Sequence, residues 1–172
     1  MIHRFGMLCL GIVLLSACGL GGASQTGDTQ VDSSSTSTLM LEDDTLNVIL
    51  SQYLMLKDAL VASDTEAAAQ QGTALADALS QVEGCASTAT LALELVQQDD
   101  LEEQRQNFSI ISQDLIALFQ GAKVRSGMLY VAHCPMYMDG KGGDWISAIK
   151  TIKNPYYGDK MLACGQVIQE ID

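Results

Sequence analysis

Sulfur and imidazole side chains are concentrated between positions 133 and 164 of this chain. The segment holds the only histidine after His3, two of the five cysteines and three methionines: His133, Cys134, Met136, Met138, Met161 and Cys164. Thiolate, thioether and imidazole groups bind Cu(I) and similar soft ions far better than Mg²⁺ or Ca²⁺, and a Cys/His subset could also hold Zn²⁺. We therefore expect a soft-metal site in this segment, with Cu(I) as the preferred ion.

The spacing of these residues indicates how they could meet. Pro135 biases the residue before it toward an extended conformation, and if residues 134–138 all stay extended, the cysteine and both methionines project from one face. Met161 and Cys164 are three positions apart, so one helical turn would place both on one side. The expected ligands are Cys134, Cys164, Met136 and Met161, with His133 and Met138 as secondary candidates.

The cysteines also allow a second interpretation. A disulfide between Cys134 and Cys164 would staple the segment, and the methionines would then fill gaps in the core. The spacing alone leaves both interpretations open. Cys85 follows a glycine between two predicted helices and is expected to be a small buried side chain.

We do not expect an enzyme. Cys134 and His133 could act as nucleophile and base, but neighbours on a strand point to opposite faces and no orienting acid is identifiable. The loop from Asp139 to Asp144 resembles a calcium loop only superficially, because a lysine and a glycine stand where oxygen ligands are needed. The expected activity is binding.

The N-terminus is typical of an exported bacterial lipoprotein. A short basic start precedes the apolar run from Met7 to Leu15, which is too short to span a bilayer, so residues 1–17 are predicted to be a cleavable signal. The run ends in Leu-Ser-Ala-Cys, which resembles a lipobox, and Cys18 is expected to become the lipidated first residue. Gly19 in place of an aspartate favours the outer membrane over the inner one. The protein would face the periplasm.

Residues 18–40 are rich in Ser, Thr and Gly and are predicted to be a flexible linker. The chain carries a net charge of −12, and removal of the signal would remove Arg4 as well. A surface this acidic lacks the basic patch that would attract nucleic acid or anionic lipid. The acyl chains are therefore expected to be the only membrane attachment.

Residues 41–172 are predicted to form one mainly α-helical domain. Apolar residues recur at three-and-four spacing over 44–62, 63–84, 88–97 and 100–121. Ser63, Ser87 and Asp100 stand where helix caps are expected. Short connections favour antiparallel neighbours, hence an antiparallel four-helix bundle. The segment from Met128 to His133 has strand character, and the glycine-rich remainder predicts a small C-terminal loop and β element.

Three C-terminal motifs resemble a bacterial periplasmic family of unassigned function. They are His133-Cys-Pro-Met136, Gly143-Asp-Trp-Ile-Ser147 and Ile152-Lys-Asn-Pro-Tyr-Tyr-Gly158-Asp-Lys-Met-Leu-Ala-Cys-Gly165. The helix with Tyr53-Leu-x-Leu-Lys-x-Ala-Leu60 and the pattern Arg105-x-x-Phe-x-x-x-Ser112 are similar to it as well. The resemblance covers about residues 46–171.

Domains similar to this family occur fused to the adaptor subunits of copper and silver efflux systems. The resemblance places Cys134 and Met136 on the family's Cys-Pro-Met motif, and Met161 and Cys164 on its Met-x-x-Cys-Gly motif. Met138 falls where many members have another residue. The resemblance implies a protein that buffers the metal or passes it to an efflux adaptor.

Overall fold

The computed structural model describes residues 38–172. The predicted signal, the lipidated Cys18 and the linker up to residue 37 lie outside the described residues. In the described part, no helix combines the length and the apolar character that crossing a membrane requires.

The described chain is mainly helical, as the sequence predicts, and ends in a small antiparallel sheet where the sequence predicts a loop and β element. In chain order the elements are β1 (Met40–Leu41), α1 (Asp44–Val61), α2 (Thr65–Leu79), α3 (Ala86–Val96), α4 (Leu101–Gln120), β2 (Val124–Ser126), β3 (Leu129–Cys134), the short α5 (Tyr137–Gly140), β4 (Gly143–Ser147), a 3₁₀ turn (Gly158–Lys160) and β5 (Gln166–Ile171). Each of the four predicted helices is present, with ends shifted by a few residues.

Aspartates begin three of the four long helices. The carboxylate of Asp43 accepts hydrogen bonds from the backbone N–H groups of the first turn of α1, and Asp64 and Asp100 do the same for α2 and α4. Such caps satisfy donors that the helix itself leaves unpaired. The predicted cap Asp100 is confirmed, whereas Cys85 begins α3 without a side-chain cap and Ser87 lies inside that helix.

Ser63 ends α1 and does not cap α2 as predicted. Its backbone is left-handed, with φ of 58°. The N–H of Ser63 donates to the carbonyl of Leu60, and the N–H of Asp64 donates to the carbonyl of Ala59. This hydrogen-bond pair closes a helix C-terminus and usually has glycine at the left-handed position. The prediction was wrong because Ser63 belongs to the hydrogen-bonded C-terminus of α1, and Asp64 caps α2 instead.

The core lies between the helices and the C-terminal sheet. Each long helix packs against the next in the chain, and α4 also packs against β4. Tyr53 of α1 is fully buried and stacks on Phe108 of α4, with ring centroids 5.3 Å apart. Its hydroxyl is 2.8 Å from Ser112 Oγ of α4 and accepts a hydrogen bond from the N–H of Ile146 in β4. One side chain thus ties together α1, α4 and the sheet.

Two small sheets complete the fold. β1 pairs with β2, and β3 lies between β4 and β5, all antiparallel. The register between β3 and β4 places His133 opposite Asp144 and Cys134 opposite Gly143. The structure therefore has a three-stranded C-terminal sheet where the sequence predicted a loop with one or two strands.

Candidate functional site

The two cysteines singled out in the C-terminal segment lie side by side. The Sγ atoms of Cys134 and Cys164 are 3.7 Å apart, and both are free thiols. Cys134 is fully buried, whereas Cys164 is partly exposed. The pair therefore has one buried thiol and one that solvent reaches.

Cys134 is positioned by the pairing of β3 with β4. It is the last residue of β3 and lies opposite Gly143 of β4. The rings of Tyr137 and Tyr156 stack with centroids 4.1 Å apart, and a Cβ at Gly143 would come within 2.7 Å of Tyr156 and 2.8 Å of Tyr137. Only glycine fits beneath this stack.

Cys164 is positioned by Asn154. This fully buried side chain donates from Nδ2 to the carbonyl of Cys164 over 2.9 Å, and its Oδ1 accepts from the N–H of Tyr156 over 2.8 Å. Its backbone N–H donates to the carbonyl of Leu162. The N–H of Cys164 donates to the carbonyl of Met161 and closes the turn over residues 161–164. Asn154 thus fixes the turn that presents the second thiol.

Arg105 joins this loop to the helices. Its guanidinium is buried and donates to the carbonyl of Pro155, to that of Leu60 and to Ser63 Oγ. Burial lowers the pKa of Arg105, and the nearby Glu102 carboxylate opposes that effect. Three hydrogen bonds from one side chain hold the end of α1, α4 and the loop after residue 154 in a fixed relation.

The methionines at 136 and 138 do not form the predicted extended row with Cys134. The chain leaves the extended conformation after Cys134, and Met138 has a left-handed backbone with φ of 48°. The extended row was wrong because the chain must turn back within eight residues to pair β4 with β3. Met136, Met138 and Met161 are 55%, 43% and 37% exposed. Met161 lies at the end of a 3₁₀ turn, and not in a helical turn with Cys164.

His133 is directed away from the thiols. Its Nδ1 is 2.6 Å from Asp144 Oδ1, its cross-strand neighbour. Since side chains alternate along a strand, His133 and Cys134 lie on opposite faces of β3. No orienting acid for His133 was identifiable from the sequence, but the strand register places Asp144 opposite it. The structure brings the two thiols together and leaves the imidazole on the other face.

Electrostatics favour the protonated form of the exposed thiol. Burial and the neighbouring Cys134 thiol raise the pKa of Cys164. Burial and then the Cys134 thiol also raise the pKa of Tyr157, whose hydroxyl donates to the carbonyl of Met136. A thiol with a raised pKa is a poor nucleophile at neutral pH. Binding of a metal ion by the Cys164 thiol requires loss of the same proton.

Within residues 38–172, no three or more His, Cys, Asp and Glu side chains are grouped so that they could hold a metal ion. Any further ligand to a metal at the thiol pair would therefore be another kind of group, such as thioether sulfur. Cys85 is far along the chain, half-buried rather than fully buried as expected, at the start of α3.

Comparison with known protein families gives a match over part of the chain. Residues 49–127 match the family model of DUF3347, a protein of unknown function. The match runs from α1 to the end of β2 and stops before Cys134, so the likeness of the C-terminal motifs remains a prediction. No curated protein and no solved structure matches the chain.

The region that matches the family model contributes two side chains that sequence reasoning did not assign to the site. Arg105 holds the loop around Pro155, and Phe108 contacts Tyr156, with ring centroids 5.9 Å apart. Both belong to the pattern noted in the fourth helix, but nothing in a single sequence tells which loop they reach. Asn154 was likewise visible only as part of a motif.

Proposed function

We propose that this protein binds a soft metal ion, Cu(I), at the thiol pair of Cys134 and Cys164. It would be a lipid-anchored periplasmic protein, attached through Cys18, that buffers the ion or passes it to an efflux system. The ion is cargo in this proposal, and no catalysis is involved.

The observation that carries the proposal is the separation of 3.7 Å between the two Sγ atoms. Two sulfurs that share a tetrahedral ion at about 2.3 Å each are about 3.8 Å apart. A disulfide needs about 2.05 Å, so forming one would require the two sulfur atoms to move closer. The spacing suits a bridging ion without rearrangement.

Methionine sulfur is proposed to complete the coordination. Met136 follows Cys134 by two residues, and Met161 shares a hydrogen-bonded turn with Cys164. Both side chains are exposed and flexible enough to reorient. Thiolate with thioether favours Cu(I) over harder ions. Met138 is a weaker candidate, and His133 leaves the proposed ligand set because it faces Asp144.

We also propose that α1 to α4 form an antiparallel bundle that acts as a rigid support. In its favour, each helix packs on the next, and Tyr53 of α1 stacks on Phe108 of α4. A flexible linker of about twenty residues would span a few tens of ångströms, so the domain could reach pumps in the same membrane.

A second candidate is a non-catalytic envelope interaction module stapled by a Cys134 to Cys164 disulfide. The proximity of the thiols supports it as well, because a small movement would close the bond. In this case the C-terminal segment would be structural, and its methionines would be surface residues.

Anaerobic titration with Cu(I) against a chromophoric chelator tests the first candidate. We expect one ion per protein, with binding lost in Cys134→Ser and Cys164→Ser and retained in the matched variant Cys85→Ser. Binding that is unchanged in Cys134→Ser would overturn the proposal.

Mass spectrometry of unreduced peptides from exported protein separates the two candidates. Free or metal-protected thiols support the metal site. A bridge between the two peptides in every molecule would support the interaction module instead.

A further inference from the structure

The two thiols of the pair differ in their access to solvent. The side chain of Cys134 is fully buried, whereas Cys164 is partly exposed. A small reagent in solution therefore reaches Cys164 and not Cys134. The proposed metal site treats the two sulfurs as equivalent ligands and makes no use of this difference.

The chain on either side of the pair keeps the two sulfurs adjacent. A Cβ at Gly165, the residue after Cys164, would lie 2.7 Å from the carbonyl oxygen of His133 and 2.9 Å from the ring of Trp145. Only glycine fits there, because a side chain would collide with the strand that ends at Cys134. The residue after one cysteine thus packs on the residue before the other, and the thiols stay close without a covalent bond.

The backbone of Cys164 is held, but its sulfur is not. The N–H donates to the carbonyl of Met161, and the carbonyl accepts from Asn154. Neither bond involves the side chain, whose Sγ atom lies 3.7 Å from that of Cys134. Rotation about the Cα–Cβ bond of Cys164 therefore changes the distance between the sulfurs while both backbone hydrogen bonds remain. Such a rotation can bring the sulfurs toward the about 2.05 Å of a disulfide.

We propose that Cys164 is modified by low-molecular-weight disulfides, RSSR, and that Cys134 converts the product into an internal disulfide. The Cys164 thiolate attacks one sulfur of RSSR, which forms a mixed disulfide and releases one RS⁻. Cys134 then loses its proton and attacks the Cys164 sulfur, which forms the internal bond and releases the second RS⁻. Two electrons pass from the cysteine sulfurs to RSSR, and the two cysteine protons end on the released thiols.

This reaction regulates the metal site, and that part of the inference rests on the proposed function. Thiolate is the form of cysteine that binds a metal, so the internal disulfide and the bound ion exclude each other. Oxidation of the pair releases Cu(I), and reduction of the bond restores the site. Because Cys164 is partly exposed, a small thiol can reach the bond in the folded protein.

The first test needs no metal. Full-length chain with Cys9→Ser, Cys18→Ser and Cys85→Ser keeps Cys134 and Cys164 as its only thiols. This two-thiol variant, reduced and folded, is treated with oxidised glutathione in mildly alkaline buffer, which raises the thiolate fraction, and its products are followed by mass spectrometry. We expect the internal disulfide as the final product. No product, or a glutathione adduct that never converts to the internal bond, would overturn the proposal.

Two further substitutions in the two-thiol variant test the order of the steps. With Cys134→Ser added, the glutathione adduct at Cys164 should accumulate, because no second thiol removes it. With Cys164→Ser added, the adduct should form at least tenfold more slowly, because Cys134 is buried. Cys134→Ala keeps the buried position apolar and should accumulate the adduct as Cys134→Ser does. Equal rates of adduct formation in the Cys134→Ser and Cys164→Ser proteins would contradict the assigned first step.

A titration with Cu(I) against a chelator separates the regulation from metal binding itself. We expect the oxidised two-thiol variant to bind at least tenfold more weakly than the reduced one. Binding should return after treatment with a monothiol, without denaturant, and removal of that thiol. Equal affinity of the two forms would overturn the regulation. If the reduced form binds no Cu(I), the proposed function and the regulation both fail, whereas the modification of Cys164 is decided by the glutathione reaction alone.

Discussion

Cys134 and Cys164 are 30 positions apart in the chain, yet their Sγ atoms lie 3.7 Å apart. The first ends the central strand β3, and the second lies in a turn held by the buried Asn154. Because Cys134 belongs to a paired strand and the carbonyl of Cys164 accepts from the buried Asn154, the separation is a property of the fold.

Replacing Asn154 should disturb both folding and metal binding. Asn154→Ala removes the hydrogen bonds to the Cys164 carbonyl and the Tyr156 N–H, which should lower the free energy of unfolding by about 1–3 kcal/mol. Cu(I) affinity should also fall, because the turn that carries Cys164 loosens. Urea unfolding of the reduced protein and chelator competition measure the two effects. Lys153→Ala, an exposed neighbour, should change neither.

Replacing His133 should leave Cu(I) binding intact. His133→Gln removes the imidazole that bonds to Asp144, but the side chain faces away from the thiols. We expect an affinity within about twofold of the original, whereas Met161→Leu should weaken binding more strongly. A tenfold loss in His133→Gln would place the imidazole in the coordination sphere and contradict the assigned faces of β3.

Cu(I) binding should strengthen as the pH rises. Burial and the Cys134 thiol raise the pKa of Cys164, so at neutral pH the thiol is protonated and the ion must displace its proton. Below that pKa, the affinity should rise roughly tenfold per pH unit for each proton released. Chelator competition from pH 6 to 8, corrected for the chelator's own protonation, measures the slope. A flat profile would show that no thiol proton is displaced.

Tyr53 should be a major contributor to stability. Tyr53→Phe leaves the N–H of Ile146 and Ser112 Oγ without their partner in a buried position, which should cost about 1–3 kcal/mol. The half-buried Tyr130, on β3, is the matched control, and Tyr130→Phe should cost much less. Thermal unfolding of both variants is the measurement. A loss of stability in Tyr53→Phe as small as that in Tyr130→Phe would show that the hydroxyl of Tyr53 contributes little.

The helical part of the fold was predictable because its apolar spacing is regular. The stripe in α1 includes Ile49, Tyr53 and Leu60, all fully buried in the structure. The helix ends were harder to predict, because Ser63 and Asp64 both suit a cap. Only the hydrogen bonds at the end of α1 show that Ser63 belongs to that helix. Local preferences compete at such junctions, and tertiary contacts decide between them.

The site was predictable in its residue types but not in its arrangement. The cluster of sulfur side chains identified Cys134 and Cys164, but the extended row through Met138 failed because strand pairing requires a reversal there. Arg105 bonds to carbonyls 45 and 50 positions away, and Asn154 bonds to a carbonyl 10 positions away. No periodicity in the sequence encodes contacts of that kind.

X-ray absorption at the copper edge tests whether Cys134 and Cys164 bind Cu(I). The sample is the protein loaded anaerobically with one equivalent of Cu(I). We expect a first coordination shell of sulfur alone, supplied by Cys134, Cys164 and methionine, and the loss of that spectrum in Cys164→Ser. A shell dominated by nitrogen or oxygen, or a spectrum that Cys164→Ser leaves unchanged, would contradict it.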